Sequence, residues 1–459
     1  MASTATPATP PGLAGPLLGA PDDVVAAARE HLRALLRLDT TNPPGNEGPA
    51  VDYLARVLGD AGLSPRILVS HGGRPNLVVR LPGTGARKPL LVGAHLDVVE
   101  ADAARWKHPP FGAVETDGCL WGRGAIDMKN LAAMTTAVLV GLKARGVQPA
   151  RDLIFAAVAD EEAGCEHGSQ FLVERHPDEV AAEYALGEGG GFTVHFAGRR
   201  FYPIMTAEKG LCWLRVVAEG QPGHGSMPMR DTAIERLTRA IERIASARLP
   251  THATDTATRF VQGLAAQAPL PMALALKLLL THERARDVVL DRLFPDPALA
   301  RPFAAILSNT ASPTVLRAGG KTNVIPGRAE AELDGRLLPG QTPEDLIREL
   351  EAVAGPDVRF EVTSAALAYE TTADTDLYRH LVATLRRHDP EALPLPYLCP
   401  GFTDAKSWAR LGARCYGFLP LRLPPELRYA DLFHGDDERI PLDGLDWGTR
   451  VLWDTLLGA

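Results

Sequence analysis

Apolar residues at Val24, Ala28, Leu32, Leu35 and Leu36 recur every three to four positions, which predicts a helix over residues 23–38. The turn-forming run Asn42-Pro43-Pro44-Gly45-Asn46 follows it, and another helix is expected over about 47–61. Short apolar runs at 76–81, 89–94 and 152–159 read as strands. Between the last two lies the Ala-rich segment 130–144, which predicts a helix. Helices alternating with buried strands indicate an α/β sheet domain.

The pattern changes after about Ala207. Residues 211–217 read as a strand, and 232–248 as an amphipathic helix with Ile234, Leu237, Ile241 and Ile244 on one face. A long helical stretch rich in Leu and Ala continues to about Ile306. Residues 329–337 read as a strand, and Thr342-Pro343-Glu344-Asp345 opens a helix with capping chemistry. These elements predict a smaller α+β domain over 208–367, inserted into a larger domain built from 22–207 and 368–459. The expected fold is thus α/β: a mixed central sheet flanked by helices, plus the insertion. Residues 1–21 lack a basic start and a sustained apolar run, so a disordered leader is expected rather than a signal peptide.

Composition narrows the function. At roughly 150 residues per domain, 459 residues suit two or three domains. A net charge of -8 argues against nucleic acid and anionic membrane as partners. The apolar run 270–280 is broken by Pro271 and Lys277 and is too short to span a bilayer. Five cysteines without a CxxC pair argue against a disulfide framework and for a reducing, cytoplasmic setting. Cys165 follows a run of acids, and an ordinary thiol is the expected reading of it.

Chemistry concentrates in five short motifs. His95 and Asp97 end the strand at 89–94, two positions apart, so both face one side of an extended chain. That arrangement suits a metal-bound imidazole steadied by a carboxylate, although a surface histidine beside an acid would look the same. Asp127 closes Gly122-Arg123-Gly124-Ala125-Ile126-Asp127-Met128-Lys129 just before a helix, where a lone acid is usually a cap. Asp160-Glu161-Glu162 end an apolar strand, and adjoining acids in such a place need a cation or a proton. Gly187-Glu188-Gly189 and Phe433-His434-Gly435-Asp436-Asp437-Glu438-Arg439 complete the set. Two histidines and several carboxylates at strand ends form a ligand set for two borderline divalent ions bridged by a carboxylate.

In this order the motifs resemble the two-zinc metallopeptidases that include glutamate carboxypeptidase, carboxypeptidase S, aminoacylase and succinyl-diaminopimelate desuccinylase. The resemblance covers nearly the whole chain after residue 21. It implies two divalent ions, zinc first, with cobalt or manganese as substitutes. His95 and Glu188 would bind one ion, Glu162 and His434 the other, and Asp127 both. It further implies that Asp97 supports His95, and that Glu161 is the general base for the shared water. In the insertion, Gly223-His224-Gly225-Ser226 looks like the family's lid or dimerisation element, with His224 stabilising the oxyanion in a partner's site. Asn323, Arg336, Gly401 and Thr403 lie in segments that resemble substrate-binding elements. Arg336 would clamp a carboxylate in bidentate fashion. The length of 250–318 is closer to the carboxypeptidase S branch.

The expected activity is hydrolysis of the amide bond of a peptide or an N-acyl amino acid by a homodimer. The alternatives are hydrolysis of a carbamoylated or ureido compound, or a catalytically silent metal-holding scaffold. The presence of Glu161 argues against the silent form.

Overall fold

The computed structural model describes residues 19–281, 283–292 and 297–459. Its larger sheet has ten strands. The main path runs Arg66–Val69, Pro75–Leu81, Leu153–Val158, Leu90–His95, Tyr184–Gly187, Arg414–Gly417, Arg199–Glu208 and Tyr369–Glu370. Leu90–His95 pairs in parallel with Leu153–Val158 and Tyr184–Gly187, and Arg414–Gly417 continues the parallel set. The outer pairs are antiparallel, so the central sheet is mixed, as expected. Strands Leu90–His95 and Leu153–Val158 are buried along their whole length, which explains their unbroken apolar sequences. Helices Asp22–Leu36, Gly48–Asp60, Lys129–Ala144, Asp376–His388 and Leu442–Gly458 pack on one face. The shorter Ser169–Arg175 and Ala405–Ala409 pack on the other.

A separate four-stranded antiparallel sheet runs Thr310–Ala318, Arg328–Leu337, Gly210–Glu219 and Arg359–Ala366. Helices Ala233–Ser246 and Pro343–Ala354 cover one face, burying Leu214, Val216, Leu333, Leu237 and Leu346. Each helix starts at a reciprocal capping box, Thr232 with Glu235 and Thr342 with Asp345. The buried face of the first is set by Ala233, Leu237, Ala240 and Ile244. Ile234 is 40% exposed, so the expected apolar face was placed one position off. Arg336 sits on a central strand, flanked by Leu211 and Thr310, rather than at a sheet edge.

The long stretch after 250 folds as Asp255–Ala265, Leu270–Leu279, Glu283–Arg292 and Pro297–Leu307. It packs on the larger sheet: its core includes Phe260, Val261, Leu276 and Ile306 together with Phe201, Ala207 and Leu398. Gly263 lies so close to Leu395, on strand Leu393–Cys399, that a Cβ would come within 2.3 Å of its methyl. Phe260 meets Tyr397 at 5.3 Å between ring centroids.

Residues 1–18 of the expected leader lie outside the described residues. Its last three residues are part of the fold: the Gly19 N–H donates to the Asp454 carboxylate at 3.1 and 3.2 Å, Ala20 is buried, and Pro21 caps the helix Asp22–Leu36. Among the described residues no helix is long and apolar enough to cross a membrane.

Candidate active site

The carboxyl ends of the parallel strands meet at one place, the usual position for a site in an open α/β sheet. His95 is the last residue of its strand, Glu188 follows Tyr184–Gly187, and Glu161 opens a 3-10 turn, Glu161–Ala163, after Leu153–Val158. Loops bring in Asp127, just before helix Lys129–Ala144, and His434 from the C-terminal part. His95, Asp127 and Glu188 offer ligand atoms within 4.8 Å of one another, and so do Asp127, Glu162 and His434. Asp127 belongs to both groups. Its Oδ1 lies 3.1 Å from His95 Nε2, and its Oδ2 lies 3.3 Å from His434 Nε2. His434 Nε2 is also 3.0 Å from Glu162 Oε2, and His95 Nε2 is 3.6 Å from Glu188 Oε2.

So many carboxylates in one buried place perturb each other. Burial, with repulsion from Glu188, drives Glu161 well above the ordinary carboxylate range. Burial, opposed by His95, pushes Glu188 up to about 8. Burial works against a charged His95, yet Glu188 and Asp127 hold its pKa well above that of free imidazole. Hydrogen bonds to Asp127 and then Glu162 lift His434 to about 10. Asp127 is opposed by burial but held well below its usual range by His434 and His95. The site thus demands positive charge, which the two imidazoles supply in part.

Two further buried carboxylates shape the loops around these groups. Asp97 accepts the backbone N–H of Glu161 on Oδ1 and that of Glu162 on Oδ2, each at 3.1 Å. Asn42 Nδ2 donates to Asp97 Oδ2 at 2.9 Å and to Asp160 Oδ1 at 3.2 Å. Arg74 pairs with Glu47 and reaches Asp160 at 3.4 Å. Burial raises the Asp97 pKa to about 6, against the pull of His95 and Asn42. The expected bond from Asp97 to His95 is replaced: His95 Nδ1 faces the Asp97 backbone carbonyl at 3.0 Å. Glu438 accepts from the backbone N–H groups of Gly124, Ile126 and Asp127 and from Arg123 Nη1. Glu438 belongs to the motif at 433–439, where the sequence assigns it no task. The available signal was an acid four residues after His434 in a segment that must meet the Asp127 loop. Cys165 is a buried cysteine without a disulfide.

The insertion's residues lie apart from the ligand groups. His224 is exposed on a two-residue strand paired with Val324–Ile325, and its Nδ1 meets Ser226 N and Oγ at 3.2 and 2.7 Å. Asn323 is its neighbour across that ribbon, accepting the Gly225 N–H at 2.9 Å. No contact of His224 among the described residues is with the ligand groups. The guanidinium of Arg336 donates through Nε and Nη2 to Asp334 at 2.8 and 3.1 Å, whereas its buried Nη1 has no partner among the described residues. It lies 5.2 Å from the ring centre of Phe402, between Gly401 and Thr403. Thr403 turns its hydroxyl to Glu208 Oε2 at 2.7 Å and lines a small cavity shared with Glu188.

A model of peptidase family M20/M25/M40 matches residues 91–457. The chain belongs to this family. Family M20/M25/M40 membership makes it a hydrolase of C–N bonds, acting on amides. The human N-fatty-acyl-amino acid synthase/hydrolase is 29% identical over 384 residues, covering 81% of this chain and 74% of the relative. Pig aminoacylase-1 is 28% identical over 437 residues, covering 92% and 93%. An M20 family metallo-carboxypeptidase from Sulfolobus solfataricus has the same fold, with a TM-score of 0.70 at 18% identity, over 94% of this chain and 98% of that one.

Proposed function

We propose that this M20 hydrolase uses two divalent metal ions to cleave the amide bond of a peptide or an N-acyl amino acid, with Glu161 as general base. The observation that carries the reading is the pair of ligand groups sharing Asp127, with Glu161 beside them. The donor set fits the ions: each group holds one imidazole and two carboxylates, the mixture that zinc accepts, with cobalt or manganese as substitutes. His95 and Glu188 would hold one ion, Glu162 and His434 the other, and Asp127 both. When bound, the ions would supply Lewis acidity and an acidified water near neutral pH.

The chain's own residues do the rest. Glu161, buried beside the two ligand groups, receives the proton of the attacking water and returns it to the leaving nitrogen as the C–N bond breaks. Asp97 holds the backbone of the turn that carries Glu161. The products are an amine and a carboxylate.

The exposure of His224 supports its delivery to the site of a partner subunit in a homodimer, where it would steady the oxyanion. On this reading the lid is the part of 208–367 built on the four-stranded sheet, and 22–207 with 368–459 form the catalytic domain, on which the helices of 255–307 pack. The unpartnered Nη1 of Arg336 supports a substrate carboxylate there, beside Gly401, Thr403 and, from the lid ribbon, Asn323. Free thiols at all five cysteines fit a cytoplasmic setting. The names of the relatives match the substrate class: one acts on N-fatty-acyl amino acids, and another is an aminoacylase.

The test is a hydrolysis screen over N-acyl amino acids and dipeptides, repeated after dialysis against a chelator and after zinc is restored. Loss and recovery of activity are expected. Full activity in metal-stripped protein would end the two-metal reading.

A further inference from the structure

The two ligand groups are held in different ways. His95 is the last residue of a buried central strand, paired there with Val158, and Glu188 directly follows the parallel neighbour Tyr184–Gly187, so each is anchored to the sheet. Glu162 and His434 have no such frame. Glu162 lies in a 3-10 turn, and His434 lies in an irregular segment with a left-handed backbone, φ 58°. Something else must hold His434 against Asp127.

The candidate is the buried pair Arg123–Glu438. Glu438 is fully buried, and Arg123 is 2% exposed. Glu438 Oε1 accepts the N–H groups of Ile126 and Asp127 at 2.8 and 3.2 Å. Its Oε2 accepts the Gly124 N–H at 3.0 Å and Arg123 Nη1 at 2.8 Å. All acceptor directions of one carboxylate are thus spent on the loop that presents Asp127. The same guanidinium reaches back through Nη2 to the Gly435 carbonyl at 2.9 Å, one residue after His434. Trp106 covers its face at 5.1 Å. The Gly122 N–H closes the frame on the Glu438 carbonyl at 3.0 Å. Beyond the pairing of Arg439–Pro441 with Cys119–Trp121, the segment carrying His434 and the loop carrying Asp127 are thus tied together by two side chains, neither of them in a ligand group.

We propose that Arg123 and Glu438 are positioning residues for the second ion alone, the one assigned to Asp127, Glu162 and His434. The inference rests on the two-metal reading above. Breaking the pair releases the His434 segment while His95 and Glu188 stay fixed by the sheet. Asp127 keeps its place in the first group through His95 and the start of helix Lys129–Ala144. Removing an outer partner of a ligand typically weakens metal affinity about 10–100-fold. Here that loss falls on one ion of two.

The experiment is calorimetric titration of zinc into metal-stripped full-length protein, wild type beside Glu438→Gln and Arg123→Lys. Glutamine keeps the size but turns an N–H donor toward Gly124 or Arg123. Lysine keeps the charge but cannot bond to Glu438 and Gly435 at once. Two zinc ions per wild-type chain are expected. In both variants one affinity should stay within about threefold of wild type and the other should lose about 10–100-fold. Cobalt absorption should then show one site filled before the other. If Glu438→Gln does not fold, judged by near-ultraviolet circular dichroism, Arg123→Lys decides alone. Equal weakening of both ions, or two unchanged affinities, overturns the proposal. A wild-type chain that binds fewer than two ions overturns the two-metal reading itself, and this one with it.

Discussion

Asp97 meets His95 through its main chain. The imidazole Nδ1 lies 3.0 Å from the Asp97 carbonyl oxygen and 3.7 Å from carboxylate Oδ1. The carbonyl therefore takes the Nδ1 side of the ring, leaving Nε2 to face Asp127. The carboxylate is free to grip the turn at Glu161 and Glu162.

Asp97→Asn follows from that division. The carbonyl under His95 is unchanged, but the amide presents a donor where two N–H groups need acceptors. The turn that carries Glu161 should shift. We expect kcat to fall about 10–100-fold with the first zinc ion retained, the loss typical of an outer partner of a metal site. Kinetics with zinc stoichiometry checks it. Loss of that ion with an intact turn would mean that the carboxylate steadies His95 after all.

Glu161→Gln and Glu162→Gln should separate cleanly. The first keeps size and both ions but loses the basic oxygen, so kcat should drop by about 10²–10⁴. The second offers an amide to a divalent ion and should lower zinc occupancy. Measuring both quantities in both variants decides it. The reverse pattern would exchange the two roles. Both residues lie in a 3-10 turn, beyond the end of strand Leu153–Val158.

Glu208 offers a pH test away from the ligands. Burial raises its pKa from 4.5 to about 7, against Lys406 and the Thr403 hydrogen bond. Between those values the folded chain holds a proton that the unfolded chain has released. Its contribution to stability is therefore full below pH 4.5 and lost as pH rises through about 7. Glu208→Gln removes that dependence. Relative to wild type, the variant should gain about 3 kcal/mol between pH 4.5 and 7.5, at about 1.36 kcal/mol per unit. Urea unfolding of both proteins across that range reads it. A constant difference would show that Glu208 ionises freely in the fold.

His224→Ala should cut kcat by about 10²–10³, the cost of one oxyanion donor, and leave zinc content unchanged. Mixed dimers of His224→Ala with Glu161→Gln would then hold one complete site and regain activity. No recovery from mixed dimers confirmed by mass spectrometry would count against the trans arrangement.

The residues of the two candidate ligand groups stand out in the sequence, three of them because they stand where an apolar run stops. His95 closes 89–94, Glu162 and Glu188 follow buried strands, and the glycines around Asp127 and His434 mark tight backbone. Spacing could not say which oxygen of Asp97 faces which partner, since a carbonyl and a carboxylate on one residue share a position in the sequence. The work of Glu438 was hidden for a related reason: its partners are backbone N–H groups more than 300 residues away, which have no sequence signature. Strand Leu393–Cys399 was missed because Pro394 and Pro396 interrupt its pattern. Ile234 misled because alanines at 233 and 240, weak in apolar character, define the buried face.

The helices over 255–307 bear on how this chain behaves outside its folded state. Strand Leu393–Cys399 borders the larger sheet, pairing only with Arg199–Glu208 among the described residues. Pro394 and Pro396 lack the N–H that an added strand would need, so the border is a poor template for fibre growth. They do nothing for Leu395, Tyr397 and Leu398, which rely on Phe260, Gly263 and their neighbours for cover. Trimming this insertion to mimic a shorter relative would therefore bare an adhesive side-chain patch on a strand already blunted against ordered stacking. The resulting protein should precipitate amorphously, and solubility would return only with polar replacements at Leu395 and Tyr397.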